Sequence, residues 1–126
     1  MRPVRIVLVE DNDVFRDALE LLLGMRGDVE VVAAVGDGGA AVAAAIEYRP
    51  DVMLMDYRMP VMDGVEATAQ VRTLAPEVVV VALTASANAA EREALGEAGA
   101  VTCLRKDQEL DDIVAAILHA AAPATR

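Results

Sequence analysis

Five short aliphatic runs, separated by stretches with helical spacing, set the pattern of the chain. Arg5 to Val9, Val29 to Val35, Val52 to Met55, Val78 to Leu83 and Val101 to Leu104 are nearly unbroken apolar segments. They are too short for helices and lack polar alternation, so each predicts a strand covered on both faces. Between the first two runs, Phe15, Leu19, Leu22 and Leu23 recur at helical spacing, while Asp13, Asp17 and Glu20 face water. Asn12 or Asp13 can cap that helix, and Gly24 or Gly27 closes it. Ala40 to Tyr48 predicts a second, alanine-rich helix with Val42 and Ile46 on its inner face, halted by Pro50. Asp63-Gly64 opens a third through Val65, Ala69 and Val71, with Arg72 near its end and Pro76 beyond it. A fourth, Asn88 to Gly96, is mostly alanine and charge, has little apolar grip, and is expected to be the most mobile. Leu110, Ile113, Val114 and Ile117 mark the fifth.

Strands that alternate with helices imply a parallel sheet covered on both faces, since right-handed crossovers leave few other arrangements. The expected fold is α/β, a flavodoxin-like (βα)5 doubly wound parallel sheet with strand order 2-1-3-4-5. Residues 1–119 form the domain. Residues 120–126, Ala-Ala-Ala-Pro-Ala-Thr-Arg, abandon the pattern and read as a tail or the start of a linker to an effector domain outside this chain. Gly36-Asp37-Gly38-Gly39 looks superficially like a phosphate-cradling loop. It lacks GxGxxG spacing and a Walker lysine, so it reads as a turn with Asp37 as an N-cap.

Composition narrows the function classes. Hydrophobic residues make up 56% of the 126 positions, enough for one real core, and aromatics only 2%, so that core is aliphatic. Eleven basic against 21 acidic residues give a formal charge of −10, which repels nucleic acid and anionic membranes. No segment has the length to span a bilayer or a signal-peptide pattern, and the one cysteine, Cys103, cannot form an internal disulfide. The expected location is the cytoplasm.

The chemistry collects at the strand ends. The first run ends in Glu10-Asp11, the third in Asp56, the fourth in Thr84 and the fifth in Arg105-Lys106. In an open parallel sheet the carboxyl ends of the strands line the crevice where ligands bind. Asp56 taken alone reads more readily as a turn cap, but three carboxylates gathered at one edge repel one another unless a cation neutralises them. Magnesium suits such a set, with Asp11 and Asp56 as direct ligands and Glu10 through water. Asp56 is then a plausible nucleophile toward phosphorus, because a carboxylate can carry a phosphoryl group as an acyl phosphate. Lys106 balances charge on the phosphoryl oxygens and Thr84 donates a hydrogen bond to the product.

Val-Leu-Val-Glu-Asp at Val7 to Asp11, Met-Asp-Tyr-Arg-Met-Pro-Val-Met-Asp-Gly at Met55 to Gly64, Leu-Thr-Ala at Leu83 to Ala85, and Lys106 together resemble the receiver domains of two-component response regulators. The resemblance runs from about Val4 to Leu118. It implies Glu10 and Asp11 as the acidic pair, Asp56 as phosphoacceptor, Thr84 as switch hydroxyl, Lys106 as phosphate-pairing lysine and the Arg58 backbone carbonyl as a further metal ligand. It also implies a sensor histidine kinase as phosphodonor, Mg2+ as cofactor, possible homodimers, and catalysis limited to the domain's own phosphorylation and dephosphorylation. Val31 to Gly38 and Lys106-Asp107 look most like regulators carrying a C-terminal LuxR-type helix-turn-helix, so DNA contact would run through a domain outside this chain.

Three positions depart from that pattern. Cys103 stands where many receivers have an aromatic, Asp107 where many have a proline, and Tyr57 where a smaller aliphatic is usual. A small side chain at 103 leaves the readout to the Thr84 loop and the helix from Asn88 to Gly96. Two other readings compete: a degenerate receiver acting as a phosphorylation-independent interaction module, and a flavodoxin-like FMN protein. The second is disfavoured because Glu10-Asp11-Asn12-Asp13 would repel the flavin phosphate. His119 has no metal-ligand partner, and Met53, Met55, Met59 and Met62 read as packing.

Overall fold

The computed structural model describes residues 2–85 and 88–122. Ten elements alternate along the chain: β1 (Val4–Val9), α1 (Asp13–Gly24), β2 (Val29–Val35), α2 (Gly38–Tyr48), β3 (Val52–Asp56), α3 (Gly64–Leu74), β4 (Val79–Thr84), α4 (Ala89–Ala98), β5 (Thr102–Arg105) and α5 (Leu110–Ala121). The strands form one parallel sheet in the order β2-β1-β3-β4-β5. This is the expected flavodoxin-like topology.

Because strand side chains alternate, each central strand feeds two cores. Ile6, Leu8, Leu54, Val81 and Leu83 pack on one face with Leu19 and Leu23 of α1 and with Ile113, Val114 and Ile117 of α5. Val7, Val9, Met53, Met55 and Val80 pack on the other with Ala41, Val42 and Ala45 of α2 and with Ala67 and Val71 of α3. Met53, Met55 and Met59 are buried, as the packing assignment expected. Four helices start on side-chain caps, each worth about 1 kcal/mol. Asn12, Asp37, Asp63 and Asn88 accept from backbone N–H groups of the first turns of α1, α2, α3 and α4.

Some helical faces differ from the sequence pattern. Leu22 and Ile46 are 45% and 46% exposed, although both were expected to face inward. Spacing defines a stripe but not which edge of it meets the sheet. α1 rests on Leu19 and Leu23, four residues apart, which turns Leu22 outward. α2 lies on the sheet through Gly38, Ala41, Val42, Ala44 and Ala45, which leaves Ile46 at the rim. α3 buries Gly64, Ala67, Thr68 and Val71, with Val65 half-buried and Ala69 exposed. α1 ends at Gly24 with Met25 in a right-handed conformation, so neither Gly24 nor Gly27 forms a left-handed cap. α5 continues through Ala121, further into the alanine run than the apolar pattern carries it. Residues 123–126 of the expected tail, and Ser86 and Ala87 of the expected switch segment, lie outside the described residues.

Candidate functional site, an acidic pocket with a lysine

Every predicted site residue sits at or just beyond the carboxyl edge of the sheet, because the strands are parallel and their ends are in register. Met55 pairs with Val9, so Asp56 ends β3 beside Glu10, which directly follows β1. Asp56 pairs with Leu83, which puts Thr84 one residue further along β4. The Lys106 N–H donates to the Thr84 carbonyl (2.8 Å), fixing the turn that aims the lysine into the pocket.

Lys106 Nζ lies 2.5 Å from Glu10 Oε1 and 3.1 Å from Asp56 Oδ1. The Asn12 N–H donates to Glu10 Oε2 (3.0 Å), so both oxygens of Glu10 are engaged. Glu10 and Asp56 are buried, with 0% and 3% exposure, whereas Asp11 is exposed. Carboxylate oxygens of Glu10, Asp11 and Asp56 all lie within 4.8 Å of one another. Burial first, and then the charge of Glu10, push the Asp56 carboxyl up from 3.8 to about 7 against the opposing pull of Lys106. Burial pulls Lys106 down, but its hydrogen bond to Glu10 and the charge of Asp56 more than compensate and hold it above its ordinary value.

This donor set fits a hard divalent cation. One lysine cannot offset three carboxylates, and the charge of Glu10 adds to burial in raising the Asp56 carboxyl. Asp11 is open to solvent, so an ion with several waters can approach from outside. Asp11 and Asp56 have the placement to hold it directly, while Glu10, already bound to Lys106 and the Asn12 N–H, suits a supporting role. Of the remaining predicted residues, Thr84 is 3% exposed at the end of β4, and Arg58 lies two residues beyond Asp56 in the β3–α3 loop.

Several supporting residues were not legible in the sequence. Gly64 opens α3 directly against Asp56: a Cβ there would stand 2.2 Å from the Asp56 carbonyl oxygen, so no other residue fits. Its N–H donates to the Tyr57 carbonyl (2.8 Å), which closes the loop. Arg16 of α1 donates to the Glu10 carbonyl (2.8 Å) and pairs with Asp13 (2.7 Å). The Phe15 ring lies 5.1 Å from Lys106 Nζ, within cation–π range. Position in the first turn of α1 was the available signal for Phe15 and Arg16. Arg58 Nη2 donates to Glu91 Oε2 of α4 (2.9 Å), a contact that no motif announces. Beyond β4, Cys103 shares an open cavity of about 340 Å3 with Thr84, Arg92, Arg105 and Gln108. Burial raises its thiol pKa, so it is no activated nucleophile.

Comparison with known proteins agrees with this geometry. The family model for the response regulator receiver domain matches residues 6–118. The transcriptional regulatory protein LnrK of Bacillus subtilis (strain 168) is 37% identical over 115 residues, which cover 91% of this chain and 52% of LnrK. The probable transcriptional regulatory protein NarL of Mycobacterium tuberculosis is 36% identical over 118 residues, covering 94% of this chain and 55% of that protein. The solved signal receiver domain of the putative response regulator NarL from M. tuberculosis superposes with a TM-score of 0.92 at 35% identity, covering 97% of this chain and 98% of that one. The chain thus spans about half the length of the curated relatives it matches. With a matching family model over nearly its whole length and the carboxylate–lysine pocket in place, the chain belongs to the response regulator receiver domain family.

Proposed function

We propose that this receiver domain accepts a phosphoryl group on Asp56 from a sensor histidine kinase and passes the resulting change of state to an effector, in the wider protein a transcriptional one. The observation that carries the reading is the Asp56 carboxylate at the end of β3, buried and 3.1 Å from Lys106 Nζ, within 4.8 Å of two further carboxylates. Burial limits the access of bulk water to the Asp56 carboxylate. Lys106, turned inward by the Thr84 carbonyl, supplies a fixed positive charge where phosphoryl oxygens arrive. Thr84, level with that turn, is suited to donate to one of them. Glu10 holds Lys106 in position, and Arg16 and the Asn12 N–H hold Glu10. Asp11 and Asp56, with the Arg58 carbonyl, are the groups to hold Mg2+, which when bound neutralises charge on the transferring phosphoryl group. No helix among the described residues is long and apolar enough to cross a membrane.

The test is incubation with MgCl2 and acetyl phosphate followed by intact-mass measurement. One phosphoryl adduct is expected in the parent and none in Asp56→Asn. Equal labelling of that variant would remove Asp56 from the role.

A further inference from the structure

A side-chain pair ties the β3–α3 loop to α4. Arg58 Nη2 donates to Glu91 Oε2 at 2.9 Å, and Glu91 is 9% exposed at its side chain whereas Arg58 is 76% exposed. Among the described residues the second carboxylate oxygen of Glu91, Oε1, is buried without a hydrogen-bond partner, and Arg58 is the cation paired with this side chain. α4 has few other anchors. Its buried side chains are Glu91 in the first turn and Leu95 one turn later. Leu95 fixes the carboxyl half of the helix by packing, and the amino half is fixed through Glu91. The Asn88 side chain caps the same turn and orders its N–H groups.

Arg58 stands two residues after Asp56. Between them Tyr57 is held by the Gly64 N–H, and the Arg58 guanidinium lies 6.0 Å from the Tyr57 ring. Any ordering or shift of the backbone that leaves Asp56 is therefore carried by a short, braced segment to the base of the Arg58 side chain. From there it reaches a buried carboxylate that tolerates no loss of its partner. Cys103, partly buried beside an open cavity, has no bulk with which to transmit the same change through β5.

We propose that the Arg58–Glu91 ion pair is the link through which occupancy of the Asp56 pocket is conveyed to α4, with Glu91 acting as a positioning residue through Arg58. The inference rests on the phosphoacceptor reading of Asp56 and goes beyond it, because it names the route of the signal. A phosphoryl group at Asp56 orders the β3–α3 loop, the ordered loop holds Arg58, and the first turn of α4 becomes more protected.

The test is amide hydrogen exchange over residues 89–98 with Mg2+ alone and with Mg2+ plus beryllofluoride, in the parent, Glu91→Met and Glu91→Gln. Binding of the mimic is followed separately by fluorine NMR. Met is close to Glu in size and apolar, so it fills the buried site without a charge and leaves every group named for Mg2+ in place. In the parent the mimic is expected to slow exchange in the first turn of α4 by about threefold or more, a sub-global stabilisation of the kind exchange resolves. Glu91→Met should bind the mimic and lose that slowing, and Glu91→Gln, which can still accept a hydrogen bond from Arg58, should recover part of it. An undiminished response in Glu91→Met overturns the link, as does a parent that binds the mimic with no response in α4. Loss of mimic binding in the variants also overturns it, since the pair would then support the pocket and not its readout. Failure of the parent to bind the mimic at all removes the phosphoacceptor reading itself and the link with it, and the fluorine signal distinguishes that outcome from the others.

Discussion

Replacing Asp56 by Asn should stabilise the metal-free domain, and by an amount that depends on pH. The side chain is nearly isosteric but cannot ionise, so it removes the charge that burial and Glu10 oppose. With the Asp56 carboxyl pushed from 3.8 to about 7, the native state keeps a proton that the unfolded chain has already released. The native state therefore binds more protons across that window, and stability falls as pH rises from about 4 to about 7. Below the window the carboxyl is neutral in both states and costs nothing; above it the full penalty is present. A gap of about 3 pH units at about 1.4 kcal/mol each sets a ceiling of about 4 kcal/mol. That ceiling already includes the attraction of Lys106, 3.1 Å away, and a discount of about half for solvent screening at the pocket mouth brings the expected net gain to about 2 kcal/mol at pH 8. For a domain of this size that is a rise in Tm of about 6–10 °C. Thermal melts of both proteins in EDTA, monitored by circular dichroism from pH 4.5 to 8.5, should give curves that converge at the acid end and separate toward pH 8. A constant offset between parent and Asp56→Asn across the whole range would show that the Asp56 charge is not under strain and that the pocket does not hold an excess of negative charge.

Two further outcomes follow from the same pocket. Mg2+ should raise the Tm of the parent, by about 2.7 kcal/mol equivalent at a hundredfold excess over Kd. Asp11→Asn should melt higher than the parent in EDTA and respond less to the ion; equal responses would place the metal elsewhere. Gly64→Ala should lower stability by about 1–3 kcal/mol in urea titrations, and should reduce acetyl phosphate labelling, because the added methyl meets the Asp56 carbonyl oxygen at 2.2 Å. An unchanged urea midpoint would mean that α3 can shift away without disturbing the nucleophile.

The sequence by itself determined the class of fold, the strand order and the list of residues at the working edge. Continuous aliphatic runs separated by helical spacing admit a parallel sheet, and the handedness of crossovers then brings the ends of β1, β3, β4 and β5 to one edge. Glu10, Asp11, Asp56, Thr84 and Lys106 are neighbours by topology alone, which is why their chemistry could be read from strand ends. Tertiary structure decided which of them touch and how. That Lys106 binds Glu10 as well as Asp56, that Asp11 stays open to solvent while Glu10 is sealed, and that Asp56 titrates near 7 all depend on burial and on the rotation of side chains about β1 and β5. Helix rotation was likewise beyond the pattern: Leu22 and Ile46 lie on the apolar stripes of α1 and α2, but the sheet takes up only part of each stripe. Gly64 looked like an ordinary helix start until the Asp56 carbonyl was found beneath it. Arg58 and Glu91 are 33 residues apart, and although Arg58 lies in the motif after Asp56, no local rule pairs its side chain with a glutamate that only the approach of α4 buries. Local spacing encodes which elements form and where they end, whereas contacts between distant segments depend on how the formed elements pack.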